Sequence, residues 1–271
     1  MPGAAGRLSG AAISADGTPI AFDRYGAGPA VVLVHGAFTD KAHATLAGVA
    51  AALSPWFTVF NYDRRGRGAS GDTRPYAVER EIEDLAAVVA AADGPVMVFG
   101  GSSGAALVLE AAASPSGPAM ERLAVWEPPY HVDDSAPALP ADFAERLDAL
   151  VRAGRPGEAV ERFMVEAAEV PAGAVGAMRA QPFWAQAETI AQTLSYEAAV
   201  LGPGNALPAA RLAAIARPTL VLNGGDSPAW MTNAGAAVAA AVPGAVRRVL
   251  KGQSHNVTPE ALAPELLEFF A

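Results

Sequence analysis

The chain has 271 residues, 52% hydrophobic and 17% charged, with a formal net charge of −9 at pH 7 and no cysteine. That is ample apolar material for one large or two small folded units, and too little charge for a disordered chain. An acidic balance without a basic stripe excludes a nucleic-acid partner, and the lack of cysteine excludes disulfides, thiol catalysis and cysteine-based zinc sites.

The N-terminal stretch Met1–Gly10 has no continuous apolar core and does not read as a signal peptide. No run approaches the ~18–20 apolar residues that span a bilayer. The expectation is a cytoplasmic protein, monomer or homodimer, without membrane association. Its richness in Ala, Gly, Pro and Arg, with only Lys41 and Lys251 as lysines, suits a GC-rich bacterial genome.

The first element with a strand pattern is Ile20–Tyr25, whose partial alternation suits one wet face. Ala30–Val34 is continuously apolar, as in a strand buried on both faces of a parallel sheet. A helical segment over 42–53 and a strand over 57–62 follow. Within 77–91, Val78, Ile82, Leu85 and Val89 fall on one helical face. Val96–Phe99 reads as a buried strand, and the stretch from Ala105 to Ala112 as a helix. Between them lies Gly100-Gly101-Ser102-Ser103-Gly104. Another strand, Leu123–Trp126, comes next.

From Pro128 to about Arg217 the texture changes to helical patterns and prolines without a convincing strand. Phe143, Leu147, Leu150 and Val151 mark one helix, stopped by Gly154. Val160, Phe163, Met164 and Ala167 mark a second, and the stretch from Phe183 to Ala199 carries a third or fourth. Alternation then resumes with a strand at 219–222, a helix at 229–241, a strand at 246–250 and a helix at 259–270. Such alternation predicts an α/β fold with a mostly parallel, twisted sheet covered by helices. The boundaries drawn are a core of 1–127 and 218–271 with an all-helical cap of 128–217 inserted after the sixth core strand.

A strand, Gly-x-Ser-x-Gly, then a helix is the context that makes Ser102 credible as a nucleophile. Glycines let the chain turn sharply, and the helix N-terminus favours developing negative charge. The hydroxyl needs a base within hydrogen-bond reach, and imidazole titrates in the right range. Of the four histidines, His255 follows the last strand, where loops gather around the crevice of such sheets. His35-Gly36-Ala37-Phe38 follows the strand at 30–34, which makes the Ala37 and Ser103 N–H groups the candidates for holding an oxyanion. His35 itself is expected to brace that loop.

With these pieces assembled, the chain resembles the α/β-hydrolase-fold serine hydrolases with a helical cap, the broad group of esterases, C–C hydrolases and cofactor-free haloperoxidases. The matching residues are His35-Gly36, the turn from Asp63 to Ser70, Gly100 to Gly104, Gly224 to Pro228 and Gly252 to His255. The resemblance implies Ser102 as nucleophile, His255 as base and no cofactor, and the sequence shows no His/Asp/Glu cluster with the spacing of metal ligands. The resemblance also implies that Arg64, Arg65 and Arg67 brace loops. For the acid it offers two positions: Asp226, the first choice, one residue ahead of the usual site, and Glu127 at the end of the sixth strand. Phe38, Tyr130, Trp184 and Trp230 are the expected substrate contacts in a largely apolar pocket.

The serine excludes haloalkane dehalogenase and ordinary epoxide hydrolase chemistry, which need a carboxylate at that turn. The leading expectation is hydrolysis of a small to medium ester or lactone through an acyl-enzyme. C–C bond hydrolysis is the alternative, with Arg179 and Gln181 as possible anchors for an acid-bearing substrate. A non-catalytic ligand-binding protein on the same fold is the reading from another class.

Overall fold

The computed structural model describes residues 6–271. Met1 to Ala5, which include half of the stretch read as lacking a signal peptide and the first residues assigned to the core, lie outside the described residues.

Eight strands form one sheet: β1 (Leu8–Ile13), β2 (Pro19–Tyr25), β3 (Ala30–Val34), β4 (Thr58–Tyr62), β5 (Val96–Gly101), β6 (Leu123–Trp126), β7 (Thr219–Gly224) and β8 (Val246–Leu250). Their order is β1-β2-β4-β3-β5-β6-β7-β8. β1 and β2 are antiparallel to their neighbours, and every pairing from β4 to β8 is parallel. Every residue of the central strand β3 is buried, which explains its uninterrupted apolar sequence. β1, Leu-Ser-Gly-Ala-Ala-Ile, was not foreseen. It is an edge strand with all but one residue exposed, so it carries no alternation to detect.

The expected core helices form: α1 (Ala44–Leu53), α2 (Val78–Ala90), α3 (Ser103–Ala113), α10 (Ala229–Ala241) and α11 (Pro259–Phe270). α2, α3 and α10 cover one sheet face through Ile82, Leu85, Leu107, Ala234 and Val238. α1 and α11 cover the other through Val49, Leu53, Leu262 and Leu266. Both faces are thereby removed from water.

Between β6 and β7 the chain is helical: α4 (Phe143–Arg152), α5 (Pro156–Arg162) running into a π-helical turn Phe163–Ala167, α6 (Ala172–Met178), α7 (Pro182–Thr189), α8 (Thr193–Leu201) and α9 (Ala209–Leu212). α6 and α9 are short and had no pattern of their own. The inserted helices share a core of Phe143, Leu147, Val160, Phe163, Trp184 and Leu194. α8 ties this core to the sheet, because Val200 and Leu201 at its end pack among the residues on α3.

The turn from Asp63 to Ser70 is braced as expected. Arg64 chelates Glu81 of α2 with two hydrogen bonds of 2.7 Å, and Arg65 does the same with Asp84. These four side chains and Arg67 are buried, and for Arg64 and Arg65 the bidentate geometry is what makes burial of such charges tolerable.

Candidate active site

β5 delivers the chain to Ser102, which sits at φ 57° and ψ −127° before α3 begins. A serine in this left-handed region is strained, and the neighbouring glycines show what the strain allows. A Cβ on Gly100 would lie 2.5 Å from the Gly104 carbonyl oxygen, and one on Gly104 would lie 2.5 Å from that of His35. Turn and helix therefore close onto the strand ends without room for a side chain. The Ser102 N–H donates to the Trp126 carbonyl at 2.8 Å, pinning the turn to β6.

His255 reaches this point from the loop after β8. Its Nε2 is 3.2 Å from Ser102 Oγ, and its Nδ1 is 2.8 Å from Glu127 Oε2. A carboxylate only accepts, so Nδ1 carries the hydrogen and Nε2 is left to accept from the serine hydroxyl. Glu127 follows β6 directly, is fully buried, and accepts from the Gly224 N–H at 2.7 Å through Oε1. Both carboxylate oxygens are thus in use.

The partner of His255 is therefore Glu127, and the first choice, Asp226, is corrected by this geometry. Asp226 is exposed, its N–H donates to the Gln253 carbonyl at 2.9 Å, and its carboxylate has no hydrogen bond among the described residues. β6 ends one residue before Glu127, whose carboxylate is the one bonded to the imidazole.

The Gly36–Ala37 segment lies against the serine, since a Cβ on Gly36 would come 2.9 Å from Ser102 Cβ. Among the described residues neither the Ala37 nor the Ser103 N–H donates to a backbone carbonyl. Two backbone N–H groups without a carbonyl acceptor thus belong to the segments that meet at the serine. His35 is fully buried, with Nε2 2.6 Å from Asn61 Oδ1, and burial pulls its pKa down to about 4. It is a neutral brace for this loop.

A cavity of about 900 Å³ opens over Ser102 and His255. Phe38 and Trp230 line it, together with Phe143, Phe163, Phe183 and Met231. Two expected substrate contacts are not there. Tyr130 is buried in the core on the α3 face of the sheet, and Trp184 lies inside the core of the inserted helices, bonded to Glu188 at 3.0 Å. Large aromatic surfaces of this kind are drawn into cores by the area they bury. Arg179 and Gln181 are exposed and do not line the cavity; Arg179 pairs with Glu161.

Two residues went unread in the sequence. Glu169 lines the cavity mouth and accepts from the Trp230 indole N–H. Glu197, fully buried on α8, accepts from Arg64 at 2.8 Å and from Arg67. A single acid inside the apolar run of α8 was its signal. Among the described residues no group of His, Cys, Asp and Glu is placed to hold a metal ion, and no helix is long and apolar enough to cross a membrane.

An eight-stranded mixed sheet with inserted helices and a strained serine at the β5–α3 turn defines the α/β-hydrolase class. Residues 31–265 match the model of the Alpha/beta hydrolase family, and the chain belongs to that family. An α/β hydrolase from Sphaerobacter thermophilus DSM 20745 is 53% identical, with a TM-score of 0.89 over 97% of this chain and all of that one. An esterase from Rhodococcus sp. ECU1013 shares the fold at 21% identity, with a TM-score of 0.68 over 96% of this chain and 98% of its own. The uncharacterized hydrolase YraK of Bacillus subtilis (strain 168) is 35% identical over 109 residues, 38% of this chain and 39% of that protein. The match thus spans about two fifths of the curated relative's length.

Proposed function

We propose that this protein is a serine hydrolase of uncharged carboxylic esters or lactones, working through an acyl-enzyme on Ser102. The observation that carries the reading is the hydrogen-bonded line from Glu127 through His255 to Ser102 at the floor of the cavity.

In this mechanism Ser102 Oγ attacks the ester carbonyl while His255 Nε2 takes its proton. The Ala37 and Ser103 N–H groups receive the charge that moves onto the carbonyl oxygen. The imidazolium, stabilised by the Glu127 carboxylate, then protonates the departing alkoxide oxygen as the C–O bond breaks. A water molecule, deprotonated by the same imidazole, attacks the acyl-enzyme. Collapse of the second tetrahedral intermediate releases the carboxylic acid and returns the proton to Ser102.

An apolar cavity with few polar groups suits an uncharged acyl chain. The surface pairing of Arg179 lends no support to an acid-bearing C–C substrate. A fluorophosphonate probe should label the protein at one site, and Ser102→Ala should abolish the label. Labelling retained by that variant would refute the nucleophile.

A further inference from the structure

The carbonyl of Gly36 belongs to the same peptide unit as the Ala37 N–H, and it is held with unusual care. Arg67 Nη1 donates to it at 2.6 Å, and the Thr39 hydroxyl donates to it at 2.9 Å. One residue earlier, Arg64 Nη1 donates to the His35 carbonyl at 3.1 Å. In a planar trans peptide the N–H points opposite to the C=O. With the Gly36 oxygen held by Arg67 and Thr39, the Ala37 N–H is fixed pointing the opposite way. A cationic donor on the carbonyl also polarises the whole amide and strengthens its N–H as a donor.

Arg67 is in turn fixed from the inserted helices. It is 2% exposed, its Nη2 donates to Glu197 of α8, and its Nε has no hydrogen-bond partner. The fold keeps a buried guanidinium whose Nε–H is unpaired while its two ends hold Gly36 and Glu197. A second clamp acts on the same loop. Phe38 sits at φ 59°, and its ring meets Phe163 and Phe183 of the insert edge-on at 5.4 and 5.9 Å.

We propose that Arg67, held by Glu197, is a positioning residue that aims and polarises the Ala37 N–H for the oxyanion, so that seating of the helical insert sets the strength of the oxyanion site. The proposal rests on the ester-hydrolase reading. Its test compares p-nitrophenyl butyrate with the matching thionoester in the wild type, Arg67→Met and Glu197→Gln, with folding checked by circular dichroism. Sulfur accepts hydrogen bonds weakly, so the ratio of ester to thionoester kcat/KM reports the oxyanion donors and is not moved by a general loss of stability.

Arg67→Met should lower ester kcat by roughly 10- to 100-fold at little change in KM, and the ratio should fall in parallel. Glu197→Gln, which keeps one acceptor oxygen where the carboxylate offers one to each arginine, should give a smaller loss with the same signature. An unchanged ratio in whichever of the two variants folds would overturn the positioning role while leaving the hydrolase reading intact. A wild type that turns over neither substrate nor any other ester would overturn the hydrolase reading and this proposal with it.

Discussion

Glu127 shows how a single residue can be chosen by strand length. β6 ends at Trp126, so the next side chain emerges at the carboxyl edge of the sheet, beside the Gly224 N–H that ends β7. The backbone bends there at φ 43°, and the carboxylate is buried with one oxygen on Gly224 and the other on His255. A buried carboxylate with both oxygens satisfied is well placed to hold an imidazole tautomer and to stabilise imidazolium. Replacing it by Gln keeps the shape and presents an amide that can stabilise the wrong tautomer. Glu127→Gln should therefore lower kcat about 10³- to 10⁴-fold, while Asp226→Asn, on an exposed loop, should stay within about twofold. Steady-state kinetics on one ester decides this, and a collapse of activity in Asp226→Asn alone would reverse the assignment.

At the scale of elements, the β5–α3 turn carries a graded set of glycines. Gly104 has no room for a methyl group, with backbone oxygens of His35 and Val34 at 2.5 and 2.6 Å from the Cβ position. At Gly101 the nearest atom to such a Cβ is 3.9 Å away, on Phe99. Gly104→Ala should cost about 1–3 kcal/mol or more in urea unfolding, because backbone on both sides must move. Gly101→Ala should be nearly neutral for stability and should only narrow the floor of the cavity. Equal losses in the two variants would contradict this account of the turn.

The same turn was legible in the sequence because its glycines, its apolar strand and its helix formers lie within a few residues of one another. The central strands were legible for a related reason, since burial on both faces leaves runs such as Val31–Val34 without a polar residue. Edge strand β1 lacked that signature. Choosing between Glu127 and Asp226 depended on where two loops travel, which residue spacing does not encode. Tyr130 and Trp184 were misjudged because an aromatic side chain reads alike whether it fills a core or faces a ligand.

The whole molecule carries a net charge of −9, and one of its carboxylates lines the cavity. Among the described residues lining it, Glu169 is the only carboxylate and there is no Arg or Lys. Glu169 is exposed at the mouth and engaged by the Trp230 indole, so its charge is held over the approach to Ser102. A substrate carboxylate entering there meets a like charge and no cation. For two like charges held about 8 Å apart at an effective dielectric of about 20–40, such repulsion would be about 1–2 kcal/mol. p-Nitrophenyl butyrate should therefore be preferred over p-nitrophenyl hemisuccinate by roughly five- to thirtyfold in kcat/KM beyond any difference in apolar fit. Glu169→Gln, whose amide oxygen can still accept from Trp230, should erase most of that factor, and Glu169→Lys should favour the hemisuccinate further. Because Glu169 is exposed, added salt should shrink the wild-type preference and leave the Gln variant almost unaffected. A preference unmoved by both substitutions and by salt would mean that the shape of the cavity, and not Glu169, sorts substrates by charge.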